Sequence, residues 1–217
     1  ENILIAAYSG RALATAARRV GIVPLVADLF GDADTRELAG AYRLVNGDLT
    51  NGFCAEHLVK CLEHLAAMSD PLGSVYGEGF EANPGLLREI AKRWRLIGNG
   101  PDVVQRLKEP TDFARTCAQL AVRHPAIMNT MPSSGRWLRK SAGGAGGAHI
   151  VPVSSSSTWV DKNAYFQEEI HGNAISALFV AAESGAIVIG FSEQWLAPCL
   201  EAPFRFGGAV RPARLSH

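Results

Sequence analysis

The first part of the chain combines short continuous apolar runs with apolar positions at helical spacing. Ile3 to Ala7 form an apolar run that predicts a buried strand. The following segment, ALATAARRVG, repeats apolar residues at helical spacing and stops at Gly21, a residue suited to ending a helix. A second apolar run, Val23 to Ala27, ends at Asp28. Strand, turn, helix and strand in this succession predict a βαβ unit, and therefore a parallel sheet.

Helical spacing returns from Gly52 to Met68, and Val75 with Tyr76 predict a short strand. Beyond residue 80 the segment ANPGLLREIAKRWRLIG predicts a helix that begins at its Pro-Gly pair and stops at Gly98. A further helix is expected from Thr111 to about Val122, before Pro125. The turn-rich stretch 129–135 is expected to connect it to a new subdomain.

The last third of the chain has the period-two pattern of strands. Three strands are predicted, at Tyr165–Ile170, Ile175–Ala181 and Ala186–Phe191, after a polar patch at Ser154–Thr158. The turns between them are expected at Gly172-Asn173 and Ser184-Gly185. Strands joined by short glycine turns predict an antiparallel meander. The second half is therefore expected to be α+β, unlike the first.

Composition describes an ordinary globular protein of one large or two small domains. The chain has 217 residues, 47% of them hydrophobic and 19% charged, with a net charge of zero. Neutrality argues against a nucleic-acid-binding surface, which normally carries a basic excess. No apolar stretch approaches the roughly 20 residues that cross a bilayer. The start, ENILIAAYSG, lacks the basic segment of a secretory signal and is interpreted as part of the fold.

Cysteine, histidine and clustered aspartate residues do not predict a metal site. Cys54, Cys61, Cys117 and Cys199 lack CxxC spacing and are interpreted as reduced core thiols, which predicts a cytoplasmic protein. The segment DLFGDAD contains Asp28, Asp32 and Asp34, which either bind a metal or cap helices. We favour capping, with Asp34 as the N-cap before TRELA. His57, His64 and His124 lie on or beside predicted helices, without metal-ligand spacing.

The segment WLRKSAGGAGGAHI, residues 137–150, is the most informative part of the sequence. Lys140 ends a short apolar stretch, and Gly143, Gly144, Gly146 and Gly147 follow it before an apolar restart. Glycines let backbone N–H groups approach phosphate oxygens, and a lysine adds a positive charge. The order differs from that of the P-loop, whose lysine follows its glycines, and the dinucleotide fingerprint is also absent. A flexible hairpin tip or linker is the alternative interpretation.

The order of these parts resembles the ATP-grasp superfamily over essentially the whole chain. The shared features are an N-terminal βαβ domain, a helical stretch with one lysine, a strand with a second lysine before a glycine-rich loop, and a strand of QEEI type. The most specific portion is 138–147 together with 165–176. The resemblance divides the chain into a pre-ATP-grasp Rossmann-like domain (1–98), a helical linker (99–128), a small α+β subdomain (129–191) and the start of a truncated C-terminal subdomain (192–217).

The resemblance also implies a set of nucleotide-binding residues. Lys108 and Lys140 would contact ATP phosphates, and Gly143 to Gly147 would form the loop that closes over them. Gln167 would face the adenine amino group, while the backbones of Glu168 and Ile170 would pair with the adenine edge. Ala174 departs from the family pattern. In many members this position is an acidic residue that binds the ribose hydroxyls.

Magnesium-binding carboxylates and a catalytic arginine lie on later strands of the family. The resemblance therefore implies that the magnesium ligands lie beyond the C-terminus of this sequence. It also implies that the chain is a fragment or a gene product that lacks its catalytic end. The implied substrate domain is the N-terminal one, where Ser9, Gly10 and Arg11 at a helix N-terminus would contact a carboxylate or phosphate. A simple tight turn is the alternative interpretation of those three residues.

The activity implied is that of an ATP-dependent carboxylate–amine ligase acting through an acyl phosphate on small-molecule substrates. The phrases SGRALATAAR, ADLFGDADTR and YFQEEIHGNAISALFVA further resemble ATP-grasp proteins of methylotrophic bacteria linked to one-carbon carrier cofactor biosynthesis. A catalytically incomplete nucleotide-binding or regulatory subunit is the main alternative. A dehydrogenase-like dinucleotide binder is a third hypothesis, although AAYSGRALA lacks GxGxxG. The sequence leaves the oligomeric state open, a homodimer included.

Overall fold

A computed structural model describes residues 1–153 and 163–214 of the chain. The predicted polar patch Ser154–Thr158 lies outside the described residues. The chain divides into two compact units, Glu1–Glu109 and Pro110–His217. The finer division at residues 98, 128 and 191 stays a prediction. No helix in the described part of the chain is long and apolar enough to cross a membrane.

The first unit is a parallel sheet with helices on both faces. Its sheet has the strand order β3-β2-β1-β6, and each neighbouring pair is parallel. The predicted βαβ unit and Rossmann-like sheet are thus confirmed. In chain order the elements are β1 (Asn2–Ala7), α1 (Arg11–Arg19), β2 (Val23–Asp28), α2 (Ala33–Leu38), β3 (Ala41–Leu44), β4 (Gly47–Asp48), β5 (Gly52–Phe53), α3 (Ala55–Ala66), β6 (Pro71–Tyr76), α4 (Pro84–Ala91) and α5 (Pro101–Lys108).

Alternation along β1 divides the core of this unit between two faces of the sheet. Ile3 and Ile5 pack in one cluster with Ala14 of α1. Leu4 and Ala6 belong to a second cluster, which contains buried residues of α3 and α4. Each face of the sheet is therefore covered by helix, which explains why β1 is apolar at every position rather than at alternate positions.

The predicted stop of α1 is confirmed, whereas the predicted cap of α2 is wrong by two residues. Gly21 adopts a φ of +77°, and its N–H donates to the carbonyl of Arg18 at 3.1 Å. The N-cap of α2 is Asp32, whose Oδ1 accepts the Thr35 N–H at 2.9 Å. Asp34 lies inside the first turn instead, because the side chain that reaches the free N–H must come from the residue before the helix.

Two predicted helices are shorter than expected because neighbouring residues join strands. The helix predicted from Gly52 begins at Ala55, since Gly52 and Phe53 pair with β4. The helix predicted to reach Gly98 ends at Ala91. Beyond it the chain turns, with the Trp94 N–H donating to the Ile90 carbonyl at 3.0 Å. Leu96 then forms an isolated parallel bridge with Ser74 of β6, whose N–H donates to the Arg95 carbonyl at 2.8 Å. In this conformation Trp94 and Leu96 pack against the core.

The described residues of the second unit, 110–153 and 163–214, form one helix and two antiparallel sheets. The sheets have the strand orders β7-β10-β8-β9 and β11-β12-β13, so the expected α+β character is confirmed. The predicted helix to Val122 is shorter and ends at Gln119. The elements are α6 (Pro110–Gln119), β7 (Ile127–Met128), β8 (Trp137–Ser141), β9 (Val151–Pro152), β10 (Ala164–Glu168), β11 (Ile175–Ala182), β12 (Gly185–Leu196) and β13 (Phe206–Val210).

The predicted three-strand meander is wrong at its first turn. The strand at 164–168, β10, pairs with β7 along one edge and with β8 along the other. Because both edges of β10 are occupied, no edge remains for β11. Gly172 and Asn173 therefore lie in a connection between two sheets rather than in a hairpin turn. The second turn is confirmed, since β11 and β12 pair directly around Ser184-Gly185.

Candidate functional site

The predicted arrangement of strand, lysine, glycine loop and strand is present as a hairpin. Leu138 and Arg139 of β8 pair antiparallel with Pro152 and Val151 of β9. Lys140 is the fourth residue of β8, and all four glycines fall in the loop that follows. The local structure inferred from this segment is therefore confirmed, whereas its function is not tested by the backbone alone.

Lys140 and Gln167 lie on the same face of the sheet formed by β8 and β10. Lys140 stands opposite Tyr165, and Leu138 stands opposite Gln167. Residues directly opposite each other, and residues two apart along a strand, share a face. The other face carries Phe166, which is buried. The structure thus brings together two of the residues that the sequence assigned to opposite ends of a nucleotide.

The ammonium of Lys140 is half-buried and has no carboxylate partner among the ion pairs of the described residues. Burial lowers its pKa, because removing the charged form from water is unfavourable. Burial also raises the pKa of Tyr165, which keeps the phenol protonated and able to donate a hydrogen bond. A half-buried cation, with a hydroxyl-bearing residue opposite it on the neighbouring strand, is suited to bind an anionic group.

The glycine loop is held against the start of β13 within the same unit. The Phe206 N–H donates to the Gly146 carbonyl at 2.8 Å. Gly147 has a φ of +75°, and a Cβ at this position would lie 2.0 Å from the Phe204 carbonyl oxygen. Only glycine fits there without moving one of the two segments. The sequence identified the loop but gave no signal for the segment that it contacts.

The backbone of Glu168 is partly committed to its own sheet. Its N–H donates to the Ala126 carbonyl at 2.9 Å, while its Oε2 accepts the Ala126 N–H at 3.2 Å. A contact between Glu168 and an adenine edge would therefore use its carbonyl oxygen. Ile170, the second residue predicted for this contact, is 62% exposed, so its backbone is open to a ligand.

In the turn after β1, backbone N–H groups already donate hydrogen bonds to carboxylates of the protein itself. The Ser9 N–H donates to Glu78 Oε1 at 3.1 Å, and the Gly10 N–H donates to Asp28 Oδ2 at 2.9 Å. Arg11 lies 3.5 Å from Asp34 in an exposed ion pair. These contacts fit the alternative interpretation of Ser9, Gly10 and Arg11, that of a tight turn.

Asp28 organises that turn from the buried end of β2. The side chain is completely buried and accepts hydrogen bonds from the N–H groups of Gly10 and Gly31 and from the Tyr42 hydroxyl, each at 2.9 Å. Burial and the Asp28 carboxylate raise the pKa of the Tyr42 phenol. Asp28 thus lies at a strand end and binds N–H groups of two turns, as expected, but it does not cap a helix, because α1 has no side-chain cap. No signal in the sequence pointed to Tyr42.

Lys108 belongs to the first unit, whereas Lys140 belongs to the second. Lys108 is the last residue of α5 and lines a cavity of about 200 Å³ together with Glu81 and Tyr76. Sequence reasoning missed Glu81. Its position shortly after the carboxyl end of a strand in a parallel sheet was the available signal, because ligands of such sheets bind there.

Magnesium has no candidate ligand set in the part of the chain that the structure describes. No group of three or more His, Cys, Asp or Glu side chains is arranged there to hold a metal ion. The candidate site consists of Lys140, the glycine loop and the Tyr165–Ile170 segment.

No protein-family model and no curated protein matches the chain. Solved structures do match. N5-Carboxyaminoimidazole synthetase from Staphylococcus aureus, complexed with ADP, superposes with a TM-score of 0.67 at 15% identity, over 99% of this chain and 58% of that chain. L-Amino acid ligase from Bacillus licheniformis gives 0.70 at 13% identity, over 100% and 55%. Biotin carboxylase from Campylobacter jejuni, in a β-γ-ATP complex, gives 0.66 at 14%, over 88% and 50%.

These three proteins are ATP-grasp enzymes, so the ATP-grasp fold expected from the sequence is confirmed. At such low identities the similarity establishes the fold alone. The chain spans little more than half the length of the solved structures that it matches.

Proposed function

We propose that this chain, which has the ATP-grasp fold, binds ATP on the face of the β8–β10 sheet that carries Lys140. One observation supports this most strongly. A half-buried ammonium without a carboxylate partner in the described residues lies beside a glycine loop and on the same sheet face as Gln167. Burying a charge without a partner is unfavourable, so such a lysine calls for an anionic ligand.

In this proposal each element binds a different part of the nucleotide. Lys140 and backbone N–H groups of the loop at Gly143, Gly144, Gly146 and Gly147 hold the phosphates. Gln167, the Glu168 carbonyl and the Ile170 N–H hold the adenine. Tyr165 stands opposite Lys140 in the strand register, and its hydroxyl can donate to a phosphate oxygen. Docking of the loop on Phe204 and Phe206 would keep water away from the phosphates.

The reaction that fits this fold is ATP-dependent joining of a carboxylate to an amine. ATP supplies the phosphoryl group that would activate the carboxylate as an acyl phosphate. The chain's own contribution is to position the phosphates and to offset their charge through Lys140 and the loop.

The carboxylate and amine substrates are proposed as small molecules. Three of the matching structures are named for synthetase, ligase or carboxylase activities, which supports ligation as the general reaction. The narrower proposal, a role in the biosynthesis of one-carbon carrier cofactors, rests on the resemblance of three sequence phrases to proteins of methylotrophic bacteria.

Calorimetric titration of the chain with ATP, with and without Mg²⁺, tests the proposal. Lys140→Met removes the charge but keeps an apolar side chain of similar length. We expect it to weaken ATP binding at least about tenfold, because a charge-assisted hydrogen bond contributes roughly 1.5–3 kcal/mol. The control is Lys60→Met, since Lys60 forms an exposed ion pair with Glu56 on α3. Equal affinities of the two variants and the wild type would contradict the assignment of Lys140.

A second assay addresses the reaction itself. ADP formation that requires both a small carboxylate and an amine would support ligation. ADP formation that depends on neither would show ATP hydrolysis alone, and the proposal of a ligase would then be wrong.

A further inference from the structure

The first unit has a second candidate site, at the carboxyl ends of its parallel strands. In the order β3-β2-β1-β6, strand β1 has β2 on one side and β6 on the other. The chain connections therefore leave β1 and β6 in opposite directions, and open parallel sheets bind ligands in the crevice at such a point. Residues 77–81 follow β6 directly, so they lie at this crevice.

A cavity of about 200 Å³ lies beside this crevice. Its lining combines aromatic and aliphatic side chains with one carboxylate and one ammonium. The residues that matter here are Tyr76, Phe80, Glu81, Val104, Leu107 and Lys108. Small-molecule sites typically have this composition, with apolar walls and a few polar groups that fix orientation.

The carboxylate of Glu81 is fixed in place by the backbone. Its Oε2 accepts the N–H groups of Gly79 at 2.8 Å and Phe80 at 3.0 Å. The aromatic rings of Tyr76 and Phe80 pack edge to face beside it, with centroids 5.5 Å apart. Burial raises the pKa of the Tyr76 phenol, and the negative charge of Glu81 raises it further. A carboxylate next to aromatic rings is an environment that favours an ammonium group.

Lys108 supplies a positive charge to the same cavity. No ion pair of the described part of the chain joins Lys108 to Glu81, and none of those ion pairs contains either residue. Both charges are therefore available to a ligand rather than offset by each other. Val104 and Leu107 lie four residues and one residue before Lys108 in α5 and add apolar surface to the same cavity.

We propose that this cavity binds a zwitterionic small molecule of the amino-acid class, with its ammonium at Glu81 and its carboxylate at Lys108. The inference rests on the proposed function in one respect, namely that the bound molecule is the amine substrate of the ligase. In this proposal Lys108 binds the carboxylate of the amino acid, whereas the resemblance implies that it contacts ATP phosphates. Phe80, Val104 and Leu107 would contact the aliphatic part of the molecule.

Calorimetric titration of the whole chain with glycine, L-alanine, L-leucine and L-glutamate, without nucleotide, tests this site. Two analogues of leucine separate its charges: L-leucinamide lacks the carboxylate, and 4-methylpentanoate lacks the ammonium. We expect leucine to bind at least about tenfold more tightly than either analogue, because each analogue loses one charge-assisted contact.

Two variants assign the charges to residues. Glu81→Gln keeps an oxygen that can accept from Gly79 and Phe80, so the turn is preserved. It should abolish the preference for leucine over 4-methylpentanoate. Lys108→Met should abolish the preference for leucine over leucinamide. Glu56→Gln and Lys60→Met, at an exposed ion pair on α3, are the matched controls and should retain both preferences.

The proposal is overturned if none of the four amino acids binds the folded wild type, or if leucine and its analogues bind equally. It is also overturned if Lys108→Met weakens ATP binding and leaves leucine binding unchanged. A chain that binds ATP but no amino acid would refute this site and leave the proposed function standing. Amino-acid binding with the expected preferences, in a chain that does not bind ATP, would establish the site and refute the ligase proposal.

Discussion

Replacing Gly147 by alanine is predicted to release the glycine loop from the start of β13. A Cβ on residue 147 would lie 2.0 Å from the Phe204 carbonyl oxygen and 3.0 Å from its carbon. Neither atom belongs to a flexible side chain, so one of the two backbone segments must move by about 1.4 Å or more to reach an ordinary contact distance. Movement of the loop breaks the hydrogen bond from the Phe206 N–H to the Gly146 carbonyl, which is 2.8 Å long.

The neighbouring glycine provides a matched control. Gly146 also has a positive φ, +68°, but no atom lies within 4 Å of its Cβ position. Gly146→Ala should therefore lower the free energy of unfolding only by the backbone term, about 1–2 kcal/mol. Gly147→Ala has the same term, the clash with Phe204, and the loss of a hydrogen bond worth about 1 kcal/mol. We expect a total of about 2–4 kcal/mol for Gly147→Ala.

Amide hydrogen exchange at Phe206 measures this difference locally. The Phe206 N–H should exchange at least about tenfold faster in Gly147→Ala than in Gly146→Ala, as a difference of 1.4 kcal/mol in local opening implies. ATP affinity should fall in the same order if the loop covers the phosphates. Equal exchange rates at Phe206 in the two variants would refute the role given to the Phe204 contact.

Three further predictions concern the buried charges and the hydroxyls beside them. Asp28→Ala should lower the free energy of unfolding of the first unit by about 3 kcal/mol or more in chemical denaturation, since the N–H groups of buried Gly10 and half-buried Gly31 lose their acceptor. Asp28→Asn should cost less because it keeps one oxygen. Tyr42→Phe should cost about 1–2 kcal/mol in the same assay, through loss of the hydroxyl bond to Asp28; no change would contradict that bond. ATP affinity should fall as pH rises through the lowered pKa of Lys140, below the ordinary lysine value, and Lys140→Met should remove this dependence in calorimetry at several pH values. Burial lowers the pKa of Lys140, so the side chain loses its proton at a lower pH than an exposed lysine does. Below this lowered pKa the ammonium is charged and can bind a phosphate, and above it the neutral amine cannot offset the phosphate charge.

The sequence pattern predicts secondary structure well where residues close together along the chain determine it. The apolar runs of β1 and β2, the glycine stop of α1 and the hairpin around the glycine loop all depend on short-range signals. The prediction failed where a distant strand decided the outcome. Leu96 pairs with Ser74 of β6 instead of continuing the predicted helix. Strand β10 does not pair with β11, because β7 and β8 occupy both its edges.

The candidate site likewise combines features that the sequence predicts with contacts that only the structure shows. Lys140 and its loop are identified by spacing along the chain, and their position opposite Tyr165 follows once β8 and β10 pair. Contacts between residues far apart in sequence carry no such signal. The Phe204 contact with Gly147, the Tyr42 bond to Asp28 and the cavity shared by Glu81 and Lys108 all required the three-dimensional structure.

Hydrogen exchange of the chain with and without ATP tests most directly where the nucleotide binds. We expect ATP to slow exchange in two stretches of the second unit, the glycine loop at 142–150 and the segment 164–170, with little change within α3 of the first unit. We also expect Lys140→Met to remove this slowing at equal nucleotide concentration. Slowing confined to residues of the first unit, or unchanged by Lys140→Met, would contradict the proposed nucleotide site.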